Sequence, residues 1–363
     1  MRAPVLPEAV PTPAAAVLVD RLDRNLAAMA ERAGALGVAL SPHAKTHKTR
    51  EITARQLALG AAGITVATVA EAEILTGPGT GTGVPGDVFI ACPVWPADDL
   101  VARLLTLTDR VRVRVAVDSV AAAARLAPLA GRAQVMVELD CGLRRTGVAP
   151  GEVAGIARAA SRAGLAVAGV FTFPGHSYAP GAGAAAAAAE RSALDRAVSE
   201  LAGAGFTGLV ASGGSTPSLP HVQPGVLTEV RPGVYPLNDA QQVELGVVTE
   251  EQVAFLVLAT VISRPAPGRV VLDSGSKALG ADRAPWAGGY GLLAGWPGAR
   301  ITGLWEHHAV VDPGDGPAPE LGSLVGVIPN HVCTAVNLHP ELLAISGGEI
   351  TSRWRVAARG ANR

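Results

Sequence analysis

Short runs of β-branched and other apolar residues alternate with amphipathic segments along the first two thirds of the chain. From Asp20 to Gly37 the apolar residues recur at helical spacing, and Asp20 can cap the start of that helix. Ala/Leu/Arg-rich segments predict further helices at Ser119–Leu129, Glu152–Ala163 and Ala184–Ala204. The predicted strands are Val38–Leu40, Ile64–Val69, Val88–Ala91, Val111–Val117, Val135–Leu139, Val167–Phe173, Leu209–Ala211 and Leu227–Val230.

Strands that alternate with helices favour a parallel sheet, and eight such repeats favour a closed (β/α)8, TIM-like barrel. No Gly-x-Gly-x-x-Gly follows the first strand, which argues against a doubly wound open sheet. From about Val247 the strand-like runs are instead separated by Gly/Pro-rich turns, at Ala254–Ile262, Arg269–Asp273, Leu324–Ile328 and Ile350–Val356. The prediction is an α/β chain with a barrel at 14–240 and a mostly β domain at 241–363, to which residues 1–13 add.

Composition narrows the class of protein. The 363 residues are 49% hydrophobic and 17% charged, which is typical of a globular chain, and the formal net charge of −1 provides no basic field for nucleic acid or anionic lipid. The prolines before Pro13 argue against a signal peptide, and no apolar run is long enough to span a bilayer. Three widely spaced cysteines do not suggest a disulfide framework. We therefore expect a soluble, cytoplasmic protein.

Lysine usage points to one segment. Only Lys45, Lys48 and Lys277 are lysines among 30 basic residues, and two of them lie in the segment Pro42–Lys48. A buried ammonium can lose its proton and form an imine, whereas a guanidinium cannot. A solvated basic loop is the alternative interpretation. In a barrel, however, Lys45 would follow the first strand, at the end where barrel enzymes carry their active sites.

Other candidate groups also follow predicted strands. The segment Ser212–Pro217 is small and hydroxyl-bearing, and its backbone N–H groups could converge on a phosphate, although an ordinary helix-capping turn has the same composition. After the eighth strand, Arg231 offers a fixed cation and Gly233 permits close backbone approach, but Arg-Pro-Gly is also a common turn.

A metal site is the third candidate. On an extended strand His331 and Cys333 would face the same side, and their nitrogen and sulfur atoms suit Zn²⁺ with positions left open for water or substrate. A buried cysteine beside a surface histidine is the alternative. Further histidines could act as ligands or bases, and the sequence does not decide their roles: His43, His47, His307 and His308.

Taken together, these segments resemble the D-serine dehydratase and D-threonine aldolase family of fold-type III pyridoxal-phosphate enzymes, which are relatives of alanine racemase. The resemblance spans nearly the whole chain. Its most specific segments are 42–49 (PHAKTHKT), 67–73 (ATVAEAE), 142–147 (GLRRTG), 175–178 (GHSY), 214–217 (GSTP), 229–233 (EVRPG) and 329–333 (PNHVC). One departure is Glu306-His307-His308-Ala309, where the family has something closer to Glu-Glu-His-Gly.

The resemblance implies a role for each matching residue. It implies that Lys45 carries pyridoxal phosphate as a Schiff base, and that the protein forms a homodimer. The remaining cofactor contacts that it implies are Arg145 near the phenolic oxygen, Tyr178 near the ring or phosphate, Gly214, Ser215 and Thr216 at the phosphate, Arg231 facing the pyridine nitrogen, and Gly233 and Tyr235 after the eighth strand.

The pair His331 and Cys333 resembles the zinc pair of the D-serine dehydratases, whereas the aldolases more often have His-x-Asp. The expected reaction is β-elimination from a D-β-hydroxy amino acid, with D-serine giving pyruvate and ammonia. A metal-dependent D-threonine aldolase and a 3-hydroxyaspartate dehydratase are the alternatives. Alanine racemase fits less well, because Asn-Ala-Tyr-Gly should follow its lysine and Thr46-His47-Lys48 stands here. A non-catalytic, single-barrel cofactor carrier would lack the β domain.

Overall fold

A computed structural model describes residues 4–77 and 85–363. These residues form two compact units. The β unit contains the described residues up to Ala27, together with Thr46–Arg50 and Val234–Gly360. The barrel unit contains Ala28–Lys45, Glu51–Gly233 and Ala361–Arg363. The chain therefore contributes to the two units in alternating segments rather than on either side of a single boundary near 240.

The described strands are β1 (Ala14–Leu18), β2 (Ala39–Leu40), β3 (Ile64–Val66), β4 (Asp87–Ile90), β5 (Arg112–Val117), β6 (Ala133–Glu138), β7 (Ala166–Phe171), β8 (Val210–Gly213), β9 (Glu229–Val230), β10 (Phe255–Ala266), β11 (Arg269–Leu272), β12 (Gly291–Leu293), β13 (Arg300–Leu304), β14 (Ala309–Asp312), β15 (Leu324–Pro329), β16 (Glu341–Ser346) and β17 (Glu349–Arg355).

The described helices are α1 (Val19–Leu36), α2 (Arg50–Ala58), α3 (Val69–Leu75), α4 (Asp98–Thr108), α5 (Val120–Arg125), α6 (Val153–Arg162), α7 (Gly183–Gly203), α8 (Ala240–Glu244), α9 (Ser276–Leu279) and α10 (Val332–Leu338). The helices predicted from periodicity correspond to α1, α5, α6 and α7. Over the ranges that the structure describes, no helix combines the length and the apolar character needed to cross a membrane.

The predicted (β/α)8 barrel is confirmed. Its parallel strands follow the order β2-β9-β8-β7-β6-β5-β4-β3, and each corresponds to one of the eight predicted runs. A parallel bridge between His43 and Thr65 joins the two end strands. The amide of Ala44 donates to the carbonyl of Thr65 at 2.8 Å, and the amide of Thr65 donates to the carbonyl of Pro42 at 2.9 Å.

Successive side chains of a barrel strand alternate between two apolar clusters. In β4, Val88 and Ile90 pack into the large core cluster that includes the helices, whereas Phe89 belongs to a separate small cluster with Phe171 and Met136. Successive side chains of a strand point to opposite faces, so this division follows from the period of two. The Phe89 and Phe171 rings meet edge to face with centroids 4.9 Å apart.

Charged side chains are buried within the barrel unit as well. Arg114 of β5 donates to Asp87 at 3.0 Å and to Glu229 at 2.8 Å. Ser212 donates to the other oxygen of Glu229 at 2.6 Å and accepts from Arg231 Nε at 2.8 Å. A continuous chain of hydrogen bonds therefore connects two arginines and two carboxylates.

The β unit contains a sheet in the order β11-β14-β13-β12-β15-β10-β1-β16-β17, and β10 also pairs with β11, which closes an antiparallel barrel. The four strands predicted for this region correspond to β10, β11, β15 and β17. The sequence predicts residues 14–18 as part of the (β/α)8 barrel, but β1 pairs with β10 and β16 of this sheet instead. Ala15–Leu18 are all buried, so the strand carries no alternation that would show which sheet it joins.

The buried ion pairs allow a stability prediction. Replacing Arg114 by Met leaves the buried Glu229 carboxylate without its paired cation, and losing one partner of a buried pair costs about 3 to 5 kcal/mol. Urea denaturation should show that decrease in the free energy of unfolding. The matched control is Arg191→Met on α7, where the exposed pair with Asp195 should contribute less than about 1 kcal/mol. Equal losses in the two variants would contradict the prediction.

Candidate active site

Two histidines shape the loop that carries Lys45. His43 Nδ1 accepts the backbone N–H of Lys45 at 3.4 Å, and His47 Nδ1 accepts the backbone N–H two residues further on at 3.2 Å. Both rings are buried. The sequence left the roles of these histidines open, and the structure shows them holding successive turns of the loop. His307 and His308 are exposed.

The Lys45 amine lies beside an aromatic ring, whereas the other two lysine amines have polar partners. Lys45 Nζ lies 5.6 Å from the centroid of the Phe173 ring and makes no hydrogen bond or ion pair with a residue in the described ranges. Lys48 Nζ donates to Asn337 Oδ1 at 2.9 Å, and Lys277 Nζ lies 2.9 Å from a surface carboxylate. The role of Lys45 as the reactive amine stays a prediction.

Phe173 brings three of the predicted residues together. The Arg145 guanidinium lies 5.5 Å from the centroid of the Phe173 ring, nearly the same distance as the Lys45 amine. The centroid of the Tyr178 ring lies 6.4 Å from the same point. Cations within about 6 Å of an aromatic face are attracted to it. Phe173 was not singled out from the sequence, because a phenylalanine at the end of a strand is indistinguishable there from a core residue.

A tight turn presents Arg145. Asp140 Oδ1 accepts the backbone N–H groups of Gly142 at 2.8 Å and of Arg144 at 3.0 Å. Arg144 has φ 59°, in the left-handed region that residues with a Cβ seldom adopt. Thr146, on the other side of Arg145, donates its hydroxyl to Glu138 Oε1 at 3.0 Å. The arginine is therefore flanked by two residues whose positions are constrained.

Glu138, which is buried, and Cys92, which is half-buried, are two groups near these cations that the sequence does not single out. Burial raises the pKa of Glu138 to about 7, against the lowering effects of the Thr146 hydrogen bond and of Arg145. Its Oε2 is buried and has no hydrogen-bond partner in the described part of the chain. Burial also raises the pKa of the Cys92 thiol, while Lys45 and Arg145 act in the opposite direction.

The phosphate-binding role of the turn at Gly214–Thr216 stays a prediction. The Gly214 amide donates to Glu190 Oε1 at 2.7 Å and the Ser215 amide donates to Ser218 Oγ at 3.0 Å, so these two N–H groups already have partners. A Cβ at position 213 would collide with the Glu190 carboxyl, which explains the first glycine of the turn. The Thr216 hydroxyl is buried and has no partner among the described residues. Of these groups, the Thr216 hydroxyl is the donor that is left unpaired among the described residues.

Arg231 is held from several sides inside the barrel unit. Besides its contact with Ser212, its Nη2 donates to the carbonyl of Thr172 at 2.6 Å. Its guanidinium lies 5.4 Å and 5.1 Å from the centroids of Phe89 and Phe171. Burial lowers the pKa of Arg231, but an arginine stays protonated in a protein. The sequence thus placed a permanent charge correctly at the end of β9.

The last two predicted cofactor contacts fall in different units. Gly233 ends its segment of the barrel unit, whereas Tyr235 lies in the β unit and is buried there.

His331 and Cys333 are not on a strand, contrary to the sequence interpretation. Strand β15 ends at Pro329, His331 precedes α10, and Cys333 lies in the first turn of that helix. The buried residues Val332, Ala335 and Val336 have the spacing of a helix face, and that pattern prevails over the extended one.

The pair still brings a nitrogen and a sulfur together in the β unit. The side chains of His331 and Cys333 interact, and Thr46 Oγ1 lies 3.2 Å from Cys333 Sγ. Burial opposes the charged imidazole, but Cys333 and Asp239 outweigh it and hold the pKa of His331 well above its ordinary value. Within residues 4–77 and 85–363, no group of three or more His, Cys, Asp or Glu is arranged to hold a metal. A metal bound here would keep positions for other ligands.

The fold and two matching family models define the class of this protein. The family "Alanine racemase, N-terminal domain" matches residues 17–239, and "Putative serine dehydratase domain" matches residues 254–345. The chain therefore belongs to the fold-type III pyridoxal-phosphate enzymes with an alanine-racemase N-terminal domain, and pyridoxal phosphate is the cofactor of this family.

Relatives narrow the class. The chain is 35% identical over 373 residues to D-threo-3-hydroxyaspartate dehydratase of Delftia sp. (strain HT23), covering 94% of this chain and 96% of that protein. It is 33% identical over 377 residues to D-threonine aldolase of Arthrobacter sp., covering 98% and 94%. The solved structure of the Delftia dehydratase has a TM-score of 0.87 at 34% identity, covering 96% of this chain and 97% of that one. The chain lies in this pyridoxal-phosphate lyase class.

Glu190 gives a pH prediction. Burial raises the pKa of this carboxyl to about 7 in the folded protein, from about 4.5 unfolded. The folded state therefore favours the protonated form, and stability that is fully present below pH 4.5 is lost as the pH rises through 7. Glu190→Gln keeps an oxygen for the Gly214 amide and removes this loss.

Urea denaturation across pH 4.5 to 8.5 measures the effect. The variant should match the natural protein at pH 4.5 and exceed it above pH 7 by up to about 3 kcal/mol. Glu31→Gln, at an exposed position of α1, is the matched control. A difference that does not change with pH would show that the buried carboxyl is ionised throughout.

Proposed function

We propose that this protein is a pyridoxal-phosphate- and zinc-dependent dehydratase of D-configured β-hydroxy amino acids, with D-serine as the substrate favoured by the sequence. One observation carries the proposal: a lysine amine without a hydrogen-bond partner in the described ranges follows the first barrel strand, and a nitrogen–sulfur pair lies at His331 and Cys333. The Delftia relative supports it. Solved structures of that dehydratase include a His-to-Ala mutant and a Cys-to-Ala mutant two positions further along, the latter in the metal-free form.

The residues of the barrel unit fit the cofactor. The amine of Lys45 is accessible for a covalent link, and the buried Thr216 hydroxyl lacks a partner that a phosphate oxygen would supply. Pyridoxal phosphate, when bound, supplies an aldehyde for the lysine and a conjugated ring that accepts electrons from the substrate α-carbon. Arg145 and Tyr178, which Phe173 brings to the same place, are the side chains proposed to orient it.

Lys45 is proposed as the general base. An amine whose charge is not held by a carboxylate can release and take up a proton, and Lys45 Nζ would remove the α-proton of the substrate. Arg231 keeps a permanent positive charge, which disfavours a second positive charge beside it. Arg231 is proposed to face the pyridine nitrogen of the cofactor. Its charge there would make the cofactor ring a weaker electron acceptor. Departure of the β-hydroxyl then needs help from another group.

His331 and Cys333 are proposed to provide that help through a metal. Imidazole nitrogen and thiolate sulfur are the donors that Zn²⁺ prefers, and two protein ligands leave positions for a substrate oxygen. A divalent metal, when bound, supplies Lewis acidity that makes a hydroxyl a better leaving group.

The similarity to D-threonine aldolase over 98% of this chain makes retro-aldol cleavage the second candidate. It would use the same lysine but yield glycine and an aldehyde. The similarity to the Delftia enzyme makes 3-hydroxyaspartate the alternative substrate for dehydration. The homodimer stays a prediction.

Products distinguish these reactions. Protein loaded with pyridoxal phosphate and Zn²⁺ should convert D-serine to pyruvate and ammonia, and D-threo-3-hydroxyaspartate is the comparison substrate. A chelator should lower the rate by at least about 100-fold, the factor that several kcal/mol of metal stabilisation represents. If D-threonine yields glycine and no tested substrate yields a keto acid, the protein is an aldolase and not a dehydratase.

Borohydride reduction identifies the cofactor lysine. Reduction of the yellow protein followed by digestion and mass spectrometry should place the label on Lys45, because the amines of Lys48 and Lys277 are engaged elsewhere. Lys45→Ala should abolish the label, and Lys277→Arg should leave it unchanged. A label on Lys48, on Lys277 or on no lysine would overturn the assignment.

A further inference from the structure

Asp239 is a wholly buried carboxylate in the β unit. Neither the sequence motifs nor the proposed function gives it a role. It caps α8, where its Oδ1 accepts the backbone N–H of Gln242 at 3.0 Å. Its Oδ2 accepts the backbone N–H of Val332 at 3.1 Å and lies 3.4 Å from His331 Nδ1. One side chain therefore connects the start of α8 with the start of α10.

Helix capping alone does not explain an aspartate at this position. Two other helices of this chain are capped by hydroxyls: Thr68 accepts from the amide of Glu71, and Ser119 accepts from the amide of Ala122. A hydroxyl avoids the cost of burying a charge. The second oxygen of Asp239 is what a serine or threonine would lack, and it is this oxygen that faces Val332 and His331.

The contact has a consequence for the imidazole. A carboxylate beside Nδ1 favours the proton on that nitrogen and leaves the lone pair on Nε2. His331 Nδ1 is buried and has no hydrogen-bond partner among the described residues, and the carboxylate oxygen 3.4 Å from it belongs to Asp239. In metal sites a carboxylate behind a histidine fixes the orientation of the ring and raises its basicity, and its loss commonly costs 10- to 100-fold in metal affinity.

We propose that Asp239 is a positioning residue for a metal on His331 and Cys333: it holds the His331 ring in the tautomer that presents Nε2 to the ion. This inference rests on the metal pair of the proposed function. Because the role of Asp239 concerns metal binding, a measurement of metal affinity tests it without any measurement of turnover.

Zinc affinity tests the proposal. Full-length protein loaded with pyridoxal phosphate is stripped with a chelator and titrated with Zn²⁺ against a chromophoric competitor. Asp239→Asn retains an oxygen for the cap of α8 and loses the carboxylate, so its affinity should fall about 10- to 100-fold. Ser119→Ala, which removes the cap of α5 in the barrel unit, should bind like the natural protein.

Nitrogen NMR of the natural protein tests the same proposal without a variant. In zinc-loaded protein labelled at its eight histidines, the His331 ring should show a proton on Nδ1 and none on Nε2, with the signal assigned by its loss in His331→Ala. A proton on Nε2 would overturn the proposal, whether or not Asp239→Asn folds.

The outcomes separate the two proposals. If the natural protein binds no Zn²⁺, or if His331→Ala and Cys333→Ala bind it equally well, the metal part of the proposed function fails. If the natural protein binds tightly and Asp239→Asn binds with unchanged affinity, the role of Asp239 alone is overturned.

Discussion

The burial of Arg231 is the constraint on which the barrel unit depends. A guanidinium removed from water must be compensated, and no carboxylate contacts it directly among the described hydrogen bonds. The compensation comes through Ser212, which accepts from Arg231 and donates to Glu229, while Glu229 also pairs with Arg114 and Arg114 with Asp87. Four barrel strands contribute to this chain. The position of the cation is therefore determined by the barrel as a whole, not by its own loop.

The two residues that follow β7 connect Arg231 with the other cations of the candidate site. Thr172 accepts from Arg231 through its carbonyl, and the next residue, Phe173, lies against the Lys45 amine and the Arg145 guanidinium. Aromatic faces attract cations without withdrawing a proton from them or fixing them as a carboxylate would. An amine held in this way stays available to react. A carboxylate in place of Phe173 would pair with the lysine and stabilise its charged form.

Much of this architecture could be predicted from the sequence. The eight barrel strands are apolar runs at regular intervals, and the rarity of lysine points to the segment that contains Lys45 and Lys48. What could not be predicted depends on contacts between residues far apart in the chain. Glu138 resembles an ordinary strand residue, and Asp239 resembles an ordinary helix cap, until burial and neighbours are known. The interpretation of His331–Cys333 as a strand failed because two residues do not define a period, and the helical spacing lies beyond them in α10.

The electrostatics of the barrel unit also link anion binding to protons. Glu138 and Glu190 have pKa values near 7, so close to neutral pH each carries a proton about half of the time. Arg145 and Arg231 act against burial at Glu138, and Arg231 does so at Glu190, so these cations favour the ionised carboxylates. A phosphate dianion at the predicted turn would in turn raise the pKa of Glu190, since like charges disfavour ionisation. Binding of an anion at this turn would therefore be coupled to proton uptake by Glu190.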